Sequence, residues 1–222
     1  MLPSDFRSEP KVLQWEKALR DAGCTINGLT PISLLHSKNG ELLFALCEAN
    51  VTDPQKKKLP KYIFIRGHAA IVVALLRNKD TGVERYLMIR QRRIGNGTLN
   101  LEFPAGMLDR EINNVEAVAV KELLEETGLS ITTEALRPLH KGPLYSSPGA
   151  CDEGIFYFGC IVPLSNEEFS SFEGRKAGSK SDGESTAVCL CTQQEAEEET
   201  TSLQVRLGFY LFNEYLRNIR RA

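Results

Sequence analysis

The sequence predicts an α/β protein, a strand-rich domain carrying two long helices and preceded by a small helix-and-strand unit. Three observations lead there. Residues 69–76 form a continuous apolar run of the kind found in a strand buried on both faces. Two segments, 115–127 and 203–219, repeat apolar residues at helical spacing. Short apolar runs elsewhere are separated by Gly- and Asn-containing turns. The boundary is expected near residue 60, giving an N-terminal unit over 1–60 and a larger domain over 61–222.

In the N-terminal unit Val12, Leu13, Trp15, Leu19 and Ala22 recur at helical spacing, so a helix is expected over 10–22 with Trp15 in its core. Asn27-Gly28 reads as a turn. Strands follow around 32–35 and 42–47, split by a turn at Lys38-Asn39-Gly40. Beyond Tyr62 the expected strands are 63–65, 69–76, 86–89, 99–103, 138–145, 154–162 and 186–191. A hairpin turn at Lys79-Asp80-Thr81-Gly82 joins two of them. Residues 165–183 are polar and read as a long surface loop. The acidic run 195–199 reads as a solvated helix face or a turn.

Composition narrows the function classes. At 42% hydrophobic and 25% charged residues, the 222-residue chain has enough apolar material to bury a core without covalent staples. A formal charge of −2 leaves no footprint for nucleic acid or an anionic membrane, and the basic clusters at 56–58 and 90–93 are short. Lys and Arg interrupt every apolar run, so no membrane span is expected, and the first residues lack the character of a signal peptide. The six cysteines show no zinc spacing, and Cys189 and Cys191, one residue apart, suit a disulfide poorly. Reduced thiols and a cytoplasmic location are the expectation.

One segment conflicts with local rules. In Lys121-Glu122-Leu123-Leu124-Glu125-Glu126-Thr127-Gly128, a helical wheel at about 100° per residue puts the three glutamates on one side, with Ala117, Val120 and Leu124 opposite. Gly128 is a natural C-cap, so the carboxylates crowd the negative end of the helix dipole and repel one another. Such conflicts concentrate at functional sites, and a hard divalent cation would remove this one.

Residues 106–129, read as one unit, resemble the box of the Nudix family, G-x5-E-x7-R-E-U-x-E-E-x-G-U with U bulky and aliphatic. Lys121 stands where that pattern has Arg, which replaces a planar fork by a point charge. The loop after Gly106 is one residue longer, Ile112 takes the strict position of the first Glu, and either Glu111 or Glu116 could supply that carboxylate. Further motifs are similar to the ADP-sugar pyrophosphatase branch: Gln91-Arg92-Arg93, Glu102-Phe103-Pro104-Ala105-Gly106, Ser147-Pro148-Gly149-Ala150-Cys151-Asp152-Glu153 and Asp182-Gly183-Glu184. The likeness covers roughly residues 60–220.

The resemblance implies an α/β/α sandwich with a mixed sheet and a homodimer, with N-terminal strands that extend either the active site or the dimer interface. It also implies Mg²⁺, with Mn²⁺ as an alternative, held by Glu122, Glu125, Glu126 and the Ala105 carbonyl. The substrate implied is a nucleotide-sugar, ADP-ribose or ADP-glucose, cut at its diphosphate bridge. Glu184 is the first choice for the residue that activates water and Glu153 the second. Arg93 is placed to contact phosphate, Arg66 is a weaker candidate for which a surface ion pair is the equal alternative, and Glu102 either contacts the nucleoside or orients Arg93. Cys151 reads as structural rather than nucleophilic, and His36, His68 and His140 are too scattered to be ligands.

Overall fold

The computed structural model describes residues 6–108, 114–177 and 186–221. These divide into two compact units. The first comprises Met1–Ala69, Met107–Asn113 and Pro143–Ile155, and the second Ala70–Gly106, Asn114–Gly142 and Phe156–Ala222.

The first unit opens with helix α1 (Pro10–Asp21), which starts on a proline, the residue whose missing N–H costs nothing at a helix N-terminus. Strands β1 (Thr25–His36), β2 (Leu42–Thr52) and β3 (Tyr62–Ile65) form an antiparallel sheet in that order. Val12 and Trp15 of α1 pack with Leu29, Ala45, Cys47, Ala49 and Ile65, so Trp15 is a core residue as expected. The expected turn at Asn27-Gly28 is instead a bulge inside β1, where the register shifts between Ile26 and Gly28. A residue pair typical of turns is equally at home at a bulge, and β1 therefore runs longer than its apolar stretch.

The second unit is built on strands β4 (Ala69–Asn78), β5 (Glu84–Arg92), β6 (Leu99–Glu102), β7 (Ala105–Met107), β8 (Arg137–Pro138), β10 (Gly154–Leu164), β11 (Lys176–Ala177) and β12 (Thr186–Cys191). Their order is β11-β12-β5-β4-β10-β8, with β6 pairing β5 and β7 pairing β4. The remaining short strand, β9 (Leu144–Tyr145), pairs with Gly154 and Ile155 in the first unit. Residues 138–145, expected as one strand, are thus two short pieces; Gly142-Pro143 lies between them, and proline has no N–H for a ladder.

Helices cover both faces of this sheet. Helix α2 (Val115–Thr127) and α3 (Asn166–Ser170) bring Ala119, Leu123 and Phe169 against Val72, Ala74, Leu87 and Val188. On the other face α5 (Leu203–Ile219), preceded by α4 (Gln193–Glu199), sets Phe209 and Phe212 edge-on to Tyr86. The α/β/α layering follows. The stretch expected as loop over 165–183 carries α3, whose Ser165 and Glu168 make a reciprocal capping box, and β11. Residues 178–185 lie outside the described residues.

Candidate active site

Helix α2 is bounded as its sequence dictates. The Asn114 side chain accepts a hydrogen bond from the Ala117 N–H, and Gly128 ends the helix at φ 77°, its N–H donating to the Leu124 carbonyl. Its buried stripe differs from the helical-wheel expectation. Val118, Ala119, Leu123, Glu126 and Thr127 are buried, while Leu124 is 47% exposed. The wheel averages apolar positions, and it cannot see that one carboxylate is wanted on the inner side.

That carboxylate is Glu126. It is 7% exposed, and its Oε2 accepts a hydrogen bond of 2.9 Å from the Ala105 N–H. Glu122 packs on the next residue. A Cβ built on Gly106 would fall 2.0 Å from Glu122 Cγ and 2.6 Å from its Oε1, so only glycine permits this approach. Ala105, Gly106, Glu122 and Glu126 are therefore brought together within the second unit. Glu125 is exposed and turned towards Lys121, 3.6 Å away, so the lysine in the arginine's place serves there as a surface counter-charge.

Among the described residues, no three His, Cys, Asp or Glu side chains stand close enough to hold a metal ion. The donors nonetheless fit a hard divalent cation in kind. Mg²⁺ is commonly held by one or two carboxylates with water and substrate phosphate completing its shell, and Glu122 and Glu126 sit on adjoining backbone positions. Of the two alternatives for the first box glutamate, Glu116 is exposed in the first turn of α2, and Glu111 lies outside the described residues. Glu184 lies outside them too.

Arg93 and Glu102, at the ends of the β5–β6 hairpin, form a charged fork. Arg93 Nε lies 3.1 Å from both carboxylate oxygens and Nη2 2.6 Å from Oε2. Of the two readings for Glu102, this geometry is the one that orients the arginine.

In the first unit Arg66 and Glu153 form a second pair, with Nε 3.1 Å from Oε1 but not aligned for a hydrogen bond. The Arg66 guanidinium also lies over the Phe44 ring at 5.7 Å. Asp152, which was not singled out among the site residues, explains how that pair is held. Its carboxylate accepts from the Arg66 N–H at 2.7 Å and the Gly67 N–H at 3.2 Å, 86 and 85 residues away in sequence. Burial pushes its pKa up despite those bonds. His68 accepts from the Gly154 N–H through Nδ1 at 3.1 Å, and burial lowers its pKa. Cys151 pairs in parallel with Phe64 through its backbone, and burial raises its thiol pKa.

Residues 66–207 match the NUDIX domain model, more than half of the chain. The chain belongs to the Nudix family. It is 29% identical over 177 residues to "Nudix hydrolase 14, chloroplastic" of Arabidopsis thaliana, an alignment covering 76% of this chain. It spans 57% of that relative's length. Among solved structures it is similar to one titled "Crystal structure of ADP compounds hydrolase", with a TM-score of 0.59 over 90% of this chain and 97% of that one. At 16% identity that likeness shows the fold. No helix among the described residues is long and apolar enough to cross a membrane.

Proposed function

We propose that this Nudix chain is a Mg²⁺-dependent hydrolase that cleaves the diphosphate bridge of ADP-ribose or ADP-glucose to AMP and a sugar phosphate. The observation that carries the reading is the seating of Glu126 and Glu122 on Ala105-Gly106 at the end of α2. The names of the Arabidopsis relative and of the ADP compounds hydrolase support the chemistry, and the motifs around Arg93 and Glu153 support the adenosine diphosphate class.

Glu122, Glu125, Glu126 and the Ala105 carbonyl would hold the cation, with Mn²⁺ as the alternative. When bound, it would neutralise diphosphate charge and favour the hydroxide form of a water. Arg93, held by Glu102, is the proposed contact to a phosphate oxygen. Arg66 is the second candidate for that contact. Glu184 is the proposed base. Glu153 is the alternative, and its ion pair with Arg66 favours an orienting role.

Purified chain with Mg²⁺ is expected to release AMP from ADP-ribose or ADP-glucose. If both are left untouched, the reading is wrong. Profiling ADP-, UDP- and GDP-sugars, dinucleotides and coenzyme A separates it from the other Nudix substrate classes, and binding without AMP release would point to a silent nucleotide-binding module. We also propose a cytoplasmic location and a homodimer in which the sheet of the first unit takes part, since Leu35, Leu46 and Phe64 expose apolar surface there. A monomer in sedimentation would overturn the dimer.

A further inference from the structure

The strand register places Arg90, Met88 and Tyr86 of β5 opposite Ala187, Cys189 and Cys191 of β12. Partners across a ladder share a face and successive residues alternate, so all six project to one side, the side on which Tyr86 meets α5. Three sulfur atoms gather there. Cys191 Sγ lies 3.4 Å from Met88 Sδ, and Cys189 Sγ, on the same face two residues away, lies 3.8 Å from the Met88 carbonyl. The cysteines are 4% and 7% exposed, and neither belongs to the carboxylate site.

We propose that Cys189, Cys191 and Met88 form a three-sulfur site for a soft monovalent cation, copper(I). Thiolate and thioether donors select soft ions. Zinc would want about four donors in a tetrahedron, and among the described residues no third His, Cys, Asp or Glu joins the pair. A disulfide is also a poor fit. Residues i and i+2 of a strand have Cα atoms about 6.6 Å apart, near the long limit of roughly 6.8 Å for a disulfide. A bridging ion with metal–sulfur bonds of about 2.3 Å relaxes that demand, because it needs the sulfurs only about 4 Å apart.

The protonation balance is simple. Two S–H bonds break and their protons leave to solvent, while three Cu–S bonds form, two from thiolates and one from the Met88 thioether lone pair, with no change of oxidation state. The two thiolates with copper(I) carry one negative charge, which the nearby Arg90 cation would favour.

Reduced chain titrated with copper(I) in competition with bicinchoninate tests the site. Wild type and the Cys160→Ser control are expected to retain one equivalent, the Cys189→Ser/Cys191→Ser variant none, and Met88→Leu to bind about tenfold or more weakly. X-ray absorption on copper-loaded wild type is expected to show a sulfur-only shell, which keeps the test independent of how the variants fold. Surrender of all copper by wild type, retention by the double variant, unchanged affinity in Met88→Leu, or a nitrogen or oxygen shell would each overturn the assignment.

Discussion

Two buried carboxylates, one in each unit, hold backbone amides, and they differ in the company they keep. Asp152 accepts from the Arg66 and Gly67 N–H groups, so its surroundings are amide dipoles. Glu126 accepts from the Ala105 N–H, and a second carboxylate, Glu122, packs on the next residue, Gly106. The first arrangement settles a charge with the chain's own donors. The second brings like charges to the C-terminal end of α2, whose last turn carries no basic residue. Burial alone therefore does not distinguish the two carboxylates; the neighbouring glutamate on Gly106 does, and in the proposed function a divalent cation is held by that pair.

The comparison can be broken most sharply at α2. In Glu122→Gln/Glu126→Gln, AMP release is expected to fall roughly a thousandfold or more, because several kcal/mol of charge stabilisation would go with the cation. The urea midpoint should hold or rise. Activity within tenfold of wild type would contradict the metal assignment. Next in size is Gly106→Ala, whose added Cβ would sit 2.0 Å from Glu122 Cγ. A displacement on the order of 1 Å should cost about a hundredfold in kcat/KM. A smaller effect is expected on the other side of the comparison: Asp152→Asn should cost about 1–3 kcal/mol of unfolding free energy through its buried amide partners. Divalent-metal binding should be unchanged in that variant.

The smallest effect concerns pH. Burial lowers the folded-state pKa of His68 below 6.5. As pH falls through 6.5 the unfolded chain takes up a proton that the folded chain resists, so stability declines on acidification, by up to about 1.4 kcal/mol per pH unit. His68→Gln should flatten that decline in urea melts between pH 7 and 5. An identical slope in the variant would assign it to another group. Asp152, its pKa raised by burial, contributes with the opposite sign at lower pH.

Helix α2 was legible because its signals are local. Asn114 caps it, Gly128 ends it, and the glutamates lie within one turn. The Arg93–Glu102 fork was legible as an alternative, since both residues belong to one short hairpin within reach of a long arginine side chain. What escaped has a long-range cause. Asp152 reaches an amide 86 residues away, and no spacing rule announces that bond. Glu126 was legible as one of three glutamates on one side of the helix, but its bond to the Ala105 N–H was not, because a helical wheel carries no information about Ala105. In the first unit, Asn27-Gly28 has turn chemistry, and only pairing with Asn50 and Val51 turns it into a bulge. Lys121 looked like a defect in the box, whereas the structure uses it to pair with Glu125.

Manganese binding tests the central claim most directly, because the paramagnetic ion reports occupancy without requiring turnover. Electron paramagnetic resonance titrations of wild type, Asp152→Asn and Glu122→Gln/Glu126→Gln should show saturable Mn²⁺ binding in the first two and its loss in the third. Binding by the double variant equal to that of wild type would contradict the account.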